Sequence, residues 1–153
     1  MLELHSILCP TDFSEFSDEA IRYACELAET FHAELHLLNV LQDYNAVAPG
    51  SGEMFVPFTD WLPELRKQSQ EQLAKQPPPE NAAKVPVRRT TRVGAPIDEI
   101  VKYAKEHSID LIVQGTHGRR GIKHMLLGSV AESVVRYAPC PVLTVRPVPR
   151  DIS

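Results

Sequence analysis

Apolar runs and helix-period apolar patterns take turns along this chain, and that alternation limits its fold more than any other feature. Residues 5–9 form a short apolar run stopped by Pro10, and residues 35–41 form a second; both fit buried strands. Between them Ile21, Ala24, Cys25, Ala28 and Phe31 recur at helical spacing behind two capping candidates, Ser14 and Ser17. A more polar helix follows over 61–75, a strand over 85–93, and a third helical face marked by Ile97, Ile100, Val101 and Ala104. The apolar run 109–113 leads to Gly115, a helix spans 129–137, and a last strand covers 142–146. Five strands alternating with four helices predict an α/β chain with an open, doubly wound five-stranded parallel sheet covered by helices on both faces.

The length of 153 residues suits one domain, with a core that removes about 70% of the unfolded chain's surface from water. Residues 1–147 are assigned to it and 148–153 to a short extended tail. Hydrophobic residues make up 43% and charged ones 24%, which excludes a disordered or membrane-embedded chain. No apolar run is long enough to span a bilayer, and residues 1–5 lack the basic start and apolar core of a signal peptide, so a cytoplasmic location is expected. Cys9, Cys25 and Cys140 are odd in number and sit in apolar patterns, as reduced buried thiols would. The net charge of −4 argues against nucleic acid or an anionic membrane as partner. Two segments stand outside the alternation. Residues 42–58 are long for a strand-to-helix connection and read as a functional loop, a surface for an unknown protein partner, or an insertion whose aromatics tuck onto the domain. Pro77, Pro78 and Pro79 end the second helix in a stiff surface turn.

The fourth strand runs into Gly115-Thr116-His117-Gly118-Arg119-Arg120-Gly121, and Leu127-Gly128-Ser129-Val130 stands where the next helix begins. Glycines let the backbone pass through positive φ and approach a ligand with no Cβ in the way. The N–H groups of a helix start can hold an anion. Arg119, Arg120 and Lys123 add positive charge locally in an acidic chain. Together these features read as a phosphate site, beside plainer readings of a Gly-rich turn, solvated arginines and Ser129 as an N-cap. The spacing is Gly-x-x-Gly, nine residues, then Gly-Ser. That is neither the Gly-x-Gly-x-x-Gly of a dinucleotide fold nor the Gly-Lys-Ser/Thr ending of a P-loop. With Ile7-Leu8-Cys9-Pro10-Thr11-Asp12, Gly94-Ala95-Pro96 and Cys140-Pro141-Val142-Leu143-Thr144-Val145, the chain resembles the universal stress protein family over nearly its whole length, specifically its ATP-binding branch.

The resemblance implies strand order 3-2-1-4-5 and ATP as ligand, with Mg²⁺ carried on its phosphates. Ligands of an open parallel sheet lie beyond the carboxyl ends of the strands where the winding reverses. That order places the reversal between the first and fourth strands, at Pro10-Thr11-Asp12 and Gln114-Gly115. Asp12 then meets the adenosine end, Pro10 and Thr11 shape that wall, and Val40 turns its backbone to adenine. Asp12 also fits a helix N-cap and Val40 plain core packing, and Gln114 stands where the family is more often apolar. Gly115 and Gly118 would let the loop fold across the nucleotide, while Gly128, Ser129 and Val130 would give backbone N–H groups to phosphates. Arg119 and Arg120 either close onto the outer phosphates or face solvent. His117 bonds a phosphate or holds the loop, the second being preferred.

Three functions are compatible with these residues: a nucleotide-holding regulator of the stress response, an interaction module without nucleotide, and an enzyme such as a slow ATPase. The intact spacing from Gly118 to Ser129 argues against the module. The His-x-Gly-His signature of the nucleotidyl transferases of the wider superfamily is absent, as is the Ser-Gly-Gly-x-Asp-Ser loop of its pyrophosphatases. Asp12, His117 and Ser129 lack the elbow of a hydrolase triad. His32 and His36 are four apart but straddle a helix end and a strand, where that spacing does not put two imidazoles on one face. No catalytic or metal-ligating residue is assigned, and fast hydrolysis is not expected. A homodimer through residues 142–146 is expected, because a last strand at a sheet edge leaves backbone groups to pair.

Overall fold

Continuous burial of the central strands, with alternate side chains entering opposite helical layers, sets the layering of the molecule. The computed structural model describes residues 1–42, 57–82, 84–117 and 127–147. Strands β1 (Ser6–Pro10), β2 (Glu34–Leu41), β3 (Val87–Val93), β4 (Leu111–Gly115) and β5 (Val142–Val145) form one parallel sheet in the order β3-β2-β1-β4-β5. Helices α1 (Glu15–Phe31), α2 (Phe58–Ala74), the one-turn α3 (Pro79–Ala82), α4 (Pro96–Glu106) and α5 (Ser129–Tyr137) complete it. The predicted fold class and the strand order implied by the resemblance are both observed. Among the described residues, no helix is long and apolar enough to cross a membrane.

Ile7, Cys9, Leu35, Leu37 and Val113 face one layer with Ala20, Ile21, Ala24, Cys25 and Ala28 of α1 and Leu73 of α2. The intervening Leu8, Leu38 and Ile112 face the other, with Ile100, Tyr103 and Ala104 of α4 and Val134 of α5. Small residues on the buried stripe of α1 bring its axis close to the sheet. Burial pushes the Cys25 thiol up to about 11, and holds Cys9, next to Cys25, still more firmly protonated. Both are free and buried as expected, whereas Cys140 is free but only partly buried.

Element ends differ from the pattern-based boundaries for local reasons. β3 starts at Val87 because Pro86, which accepts from Leu35 N–H, has no N–H of its own to pair. β4 starts at Leu111: the Asp110 carboxylate stands in for the ladder, accepting from His5 N at 2.8 Å and Ser6 N at 3.0 Å. After the prolines, Asn81 and Ala82 both donate to Pro78 O, winding the expected turn into α3. Ser14 caps α1, its hydroxyl accepting from Ser17 N, and His32 closes the helix in the left-handed conformation.

A buried polar chain fastens the layer of α2 to the carboxyl ends of the strands. Asn39 donates to Thr11 O at 2.8 Å and accepts from Ser69 Oγ of α2 at 2.9 Å. That spends the one hydroxyl proton of Ser69, so Thr91 Oγ1, 2.7 Å away, is the donor in their contact. Among the described residues every buried side-chain nitrogen and oxygen has a partner, as close packing requires.

Candidate functional site

The sheet opens at its switch point. β1 pairs with β2 as far as Pro10↔Leu38, and β4 pairs with β5 as far as Gly115↔Val145. Between β1 and β4 the register is Ile7↔Leu111 and Leu8↔Ile112, ending short of both carboxyl termini. The two strands therefore part where Pro10-Thr11-Asp12 and Gln114-Gly115 leave the sheet, the position a ligand takes in such folds.

One wall of this opening is the turn from β1 into α1. Thr11 N–H donates to Leu38 O at 2.9 Å, and Thr11 Oγ1 accepts from Phe13 N at 3.0 Å. Phe13 adopts φ 65°, a left-handed conformation held in place by these bonds and by packing of its ring on the core. Asp12 Oδ1 accepts from Ser14 N at 3.0 Å and from Ser17 Oγ at 2.8 Å, while Asp12 N–H donates back to Ser17 Oγ. The N-cap role weighed for Asp12 thus belongs to Ser14. Asp12 instead braces the turn, and its neighbourhood is acidic: burial first, then Asp12 and Glu15, raise the Asp18 carboxyl above its ordinary range. Val40 pairs with Arg92 near the end of β2, its side chain half-buried against the α4 layer.

The opposite wall is where β4 ends and α5 begins. Gly128 N–H donates to Thr116 O at 2.7 Å, so the two ends of the glycine-rich segment are stapled together. Gly128 is the N-cap of α5 and brings no side-chain acceptor to the helix start. The first-turn amides of Ser129, Val130 and Ala131 are consequently left without a cap from that residue. Ser129 is the first helical residue and not the cap. His117 sits beside this staple, Nδ1 3.1 Å from Thr116 Oγ1 and its ring 5.6 Å from that of Phe16. Gly118, Arg119, Arg120 and Lys123 lie outside the described residues, as does most of the 42–58 segment.

Three expectations change. Gly128 N–H is spent on Thr116 O and is not a phosphate donor. Gln114 does not offer its amide protons to the opening: Nε2 donates to Ala131 O at 3.0 Å and Thr144 Oγ1 at 3.2 Å, tying β4 to α5 and β5. Positive φ is not why glycine stands at 115 and 128. Gly128 is extended at φ −71°, and Gly94, before α4, is the positive-φ glycine among the described residues. At Gly115 a Cβ would lie 2.8 Å from Phe16 O and 3.0 Å from Phe16 C, so the missing side chain lets α1 press against the end of β4. Two residues that the sequence pattern did not single out, Asn39 and Ser69, hold the Thr11 backbone from behind, Asn39 directly and Ser69 through Asn39. Asn39 as a polar residue inside an apolar strand was the one signal, and Ser69 on the polar helix α2 carried none. No group of three or more His, Cys, Asp or Glu that could hold a metal ion occurs among the described residues.

Comparison with known proteins bears on this geometry. The family model described as the universal stress protein family matches residues 3–146. A universal stress protein of Methanocaldococcus jannaschii is 37% identical over 143 residues, covering 92% of this chain and 81% of the relative. Among solved structures, the universal stress protein UspA of Lactobacillus plantarum aligns at a TM-score of 0.79 and 27% identity, over 95% of this chain and all of that one. A universal stress protein in complex with cAMP aligns at 0.61 and 26%, covering 94% and 98% of the two chains.

The Gly115 contact makes a direct prediction. Gly115→Ala must displace helix backbone, so it is expected to lower the stability of the ligand-free protein by about 1–3 kcal/mol in urea denaturation. Unchanged stability would return that glycine to a purely ligand-facing role.

Proposed function

Because this chain belongs to the universal stress protein family, we propose that it is an ATP-holding regulator of the stress response, acting through its nucleotide state. The observation that carries the reading is the Thr116–Gly128 staple, which sets the start of α5, without a side-chain cap from Gly128, beside the parting of β1 and β4. Polarity orients the ligand. The acidic turn of Asp12, Glu15 and Asp18 repels phosphate and suits the hydroxyl and amino donors of adenosine, while the positive end of the α5 dipole suits phosphate. Adenosine accordingly lies between Asp12 and Val40, with Pro10 and Thr11 as its wall. The phosphates meet Gly118, Ser129 and Val130, with Arg119 at their outer edge and Mg²⁺ bound to them. Gly128 contributes its lack of a side chain, its N–H being spent on Thr116. Each helix-terminus contact supplies only about 0.3–1 kcal/mol, so several amides must act together. A family member solved with cAMP supports an adenine nucleotide as the ligand class. With Asp12 at the nucleoside end, His117 is the one described candidate for a base, and with no second group to position water the nucleotide is held more than it is turned over.

We further propose a homodimer through β5. Ile112 N–H donates to Pro141 O, so along β5 the backbone groups of 141, 143 and 145 face β4 and those of Val142 and Thr144 face the free edge. Leu143, Val135 and Tyr137 are exposed nearby. Pairing with a two-fold mate satisfies that edge and covers apolar surface.

Two outcomes follow. Calorimetric titration of Gly128→Val with ATP is expected to show affinity reduced about tenfold or more, roughly 1.4 kcal/mol, in a variant that still folds. Equal affinity in the folded variant contradicts the placement, and a wild-type protein that binds no nucleotide favours the interaction module. Light scattering at micromolar concentration is expected to give a dimer mass, shifted toward monomer by Thr144→Pro, which removes an edge donor and keeps the backbone ladder to β4 while costing Gln114 one of its two acceptors. A wild-type monomer refutes the dimer.

A further inference from the structure

At the other end of the sheet from the candidate nucleotide site, a buried histidine joins two layers. His36 of β2 is 3% exposed and Tyr103 of α4 is fully buried. His36 Nδ1 lies 2.7 Å from the Tyr103 hydroxyl, and Nε2 lies 2.8 Å from Glu34 Oε1. His107 stacks on Tyr103 at 3.9 Å, and an open cleft of about 500 Å³, bordered by His5, Glu34, His36, Arg88, His107 and Asp110, gives solvent a route to the cluster. We propose that His36 is an acid-operated latch: neutral, it pins α4 to β2 through Tyr103, and its protonation in mild acid loosens α4 from the sheet.

The partners determine the neutral state. A carboxylate only accepts, so Nε2 carries the imidazole proton toward Glu34 and Nδ1 is left to accept from the Tyr103 hydroxyl. A second proton on Nδ1 turns that acceptor into a donor aimed at a hydroxyl that was itself donating. Tyr103 must then redirect its proton to Thr90, the other side chain bonded to the phenol, and Thr90 must reverse as well. Charge around the ring is divided, Glu34 favouring the imidazolium and Arg88 and His107 opposing it. Glu34 is already shared with Arg88 Nε of β3 at 3.2 Å, and the His107 ring of α4 is 5.6 Å from that of His36, while Arg92 of β3, over the Tyr103 ring, is itself paired with Glu99 and Glu106 of α4. Asp110, at the entry to β4, is committed to the amides of His5 and Ser6, and exposed His5 pairs with Glu3. The buried imidazolium would share its one carboxylate, at the rim of the cleft, with an arginine.

Burial is the main cause that holds His36 below its ordinary value of 6.5; Arg88 and His107 reinforce it, while Glu34 pulls the other way. A folded value below the unfolded one means that the opened state takes the proton first. The contribution of the latch is complete above the ordinary histidine range and is lost as pH falls through it toward the folded value.

Hydrogen exchange of α4 amides in the full chain between pH 7.5 and 5.5, corrected for intrinsic exchange, tests the latch. The opening equilibrium is expected to rise below pH 6.5 with a slope approaching about tenfold per pH unit. His36→Gln, which keeps a donor for Glu34 but cannot titrate, is expected to lack that added slope. Equal slopes in the two proteins overturn the proposal. Should the variant not fold, NMR titration of His36 in the wild-type chain decides: a midpoint below 6.5 supports the latch, and one at or above 6.5 overturns it.

Discussion

A parallel sheet with both faces buried has only its strand ends left to offer a ligand, and the rest of this molecule follows from that constraint. Ile7, Leu8 and Cys9 of β1 are wholly buried, so neither face of the central strand is available for chemistry. What function the domain has must be built where the strands stop. At the carboxyl ends the winding reverses and the β1–β4 ladder stops early, leaving an opening walled by two turns that are stiffened by hydrogen bonds of quite different kinds. One is a side-chain brace through Asp12, Ser14 and Ser17, and the other is a backbone staple from Gly128 to Thr116.

The two walls also differ in charge, which gives the opening a direction. Carboxylates gather on the β1 side and a helix start with no side-chain cap from its N-cap residue, Gly128, lies on the β4 side. A ligand with a neutral, donor-rich end and an anionic end fits one way round. The amino ends of the strands carry the contrasting arrangement, in which the buried polar side chains around His36 already have partners inside the protein. That end is built to hold helix to sheet, and its response to acid comes from the same satisfied bonds.

Alternating apolar runs and helical periods were enough to read the α/β class, the five strands and the four longer helices, because period and burial are local properties of the chain. The order of the strands was not local and came from resemblance to a family. Individual roles were least legible where a side chain serves a partner distant in sequence. Gln114 looked like a site residue by position, yet its donors go to Ala131 and Thr144. Tyr103 lay on the apolar stripe of α4 without revealing that its hydroxyl meets a histidine 67 positions earlier. Gly115 was legible as a position intolerant of a side chain. Its cause, the backbone of Phe16, was not, since nothing in the sequence places α1 against the end of β4.

The central claim is that an adenine nucleotide lies across the parting of β1 and β4 with its phosphates on α5. Backbone amide NMR spectra recorded during titration with Mg-ATP test it most directly, because they report every wall of the opening at once. The account predicts that Thr11, Asp12, Gly115, Ser129 and Val130 shift together on one binding curve, while His36, His107 and Asp110 at the opposite end stay in place. Saturable shifts confined to the opposite end, or none at all at millimolar nucleotide, would contradict it.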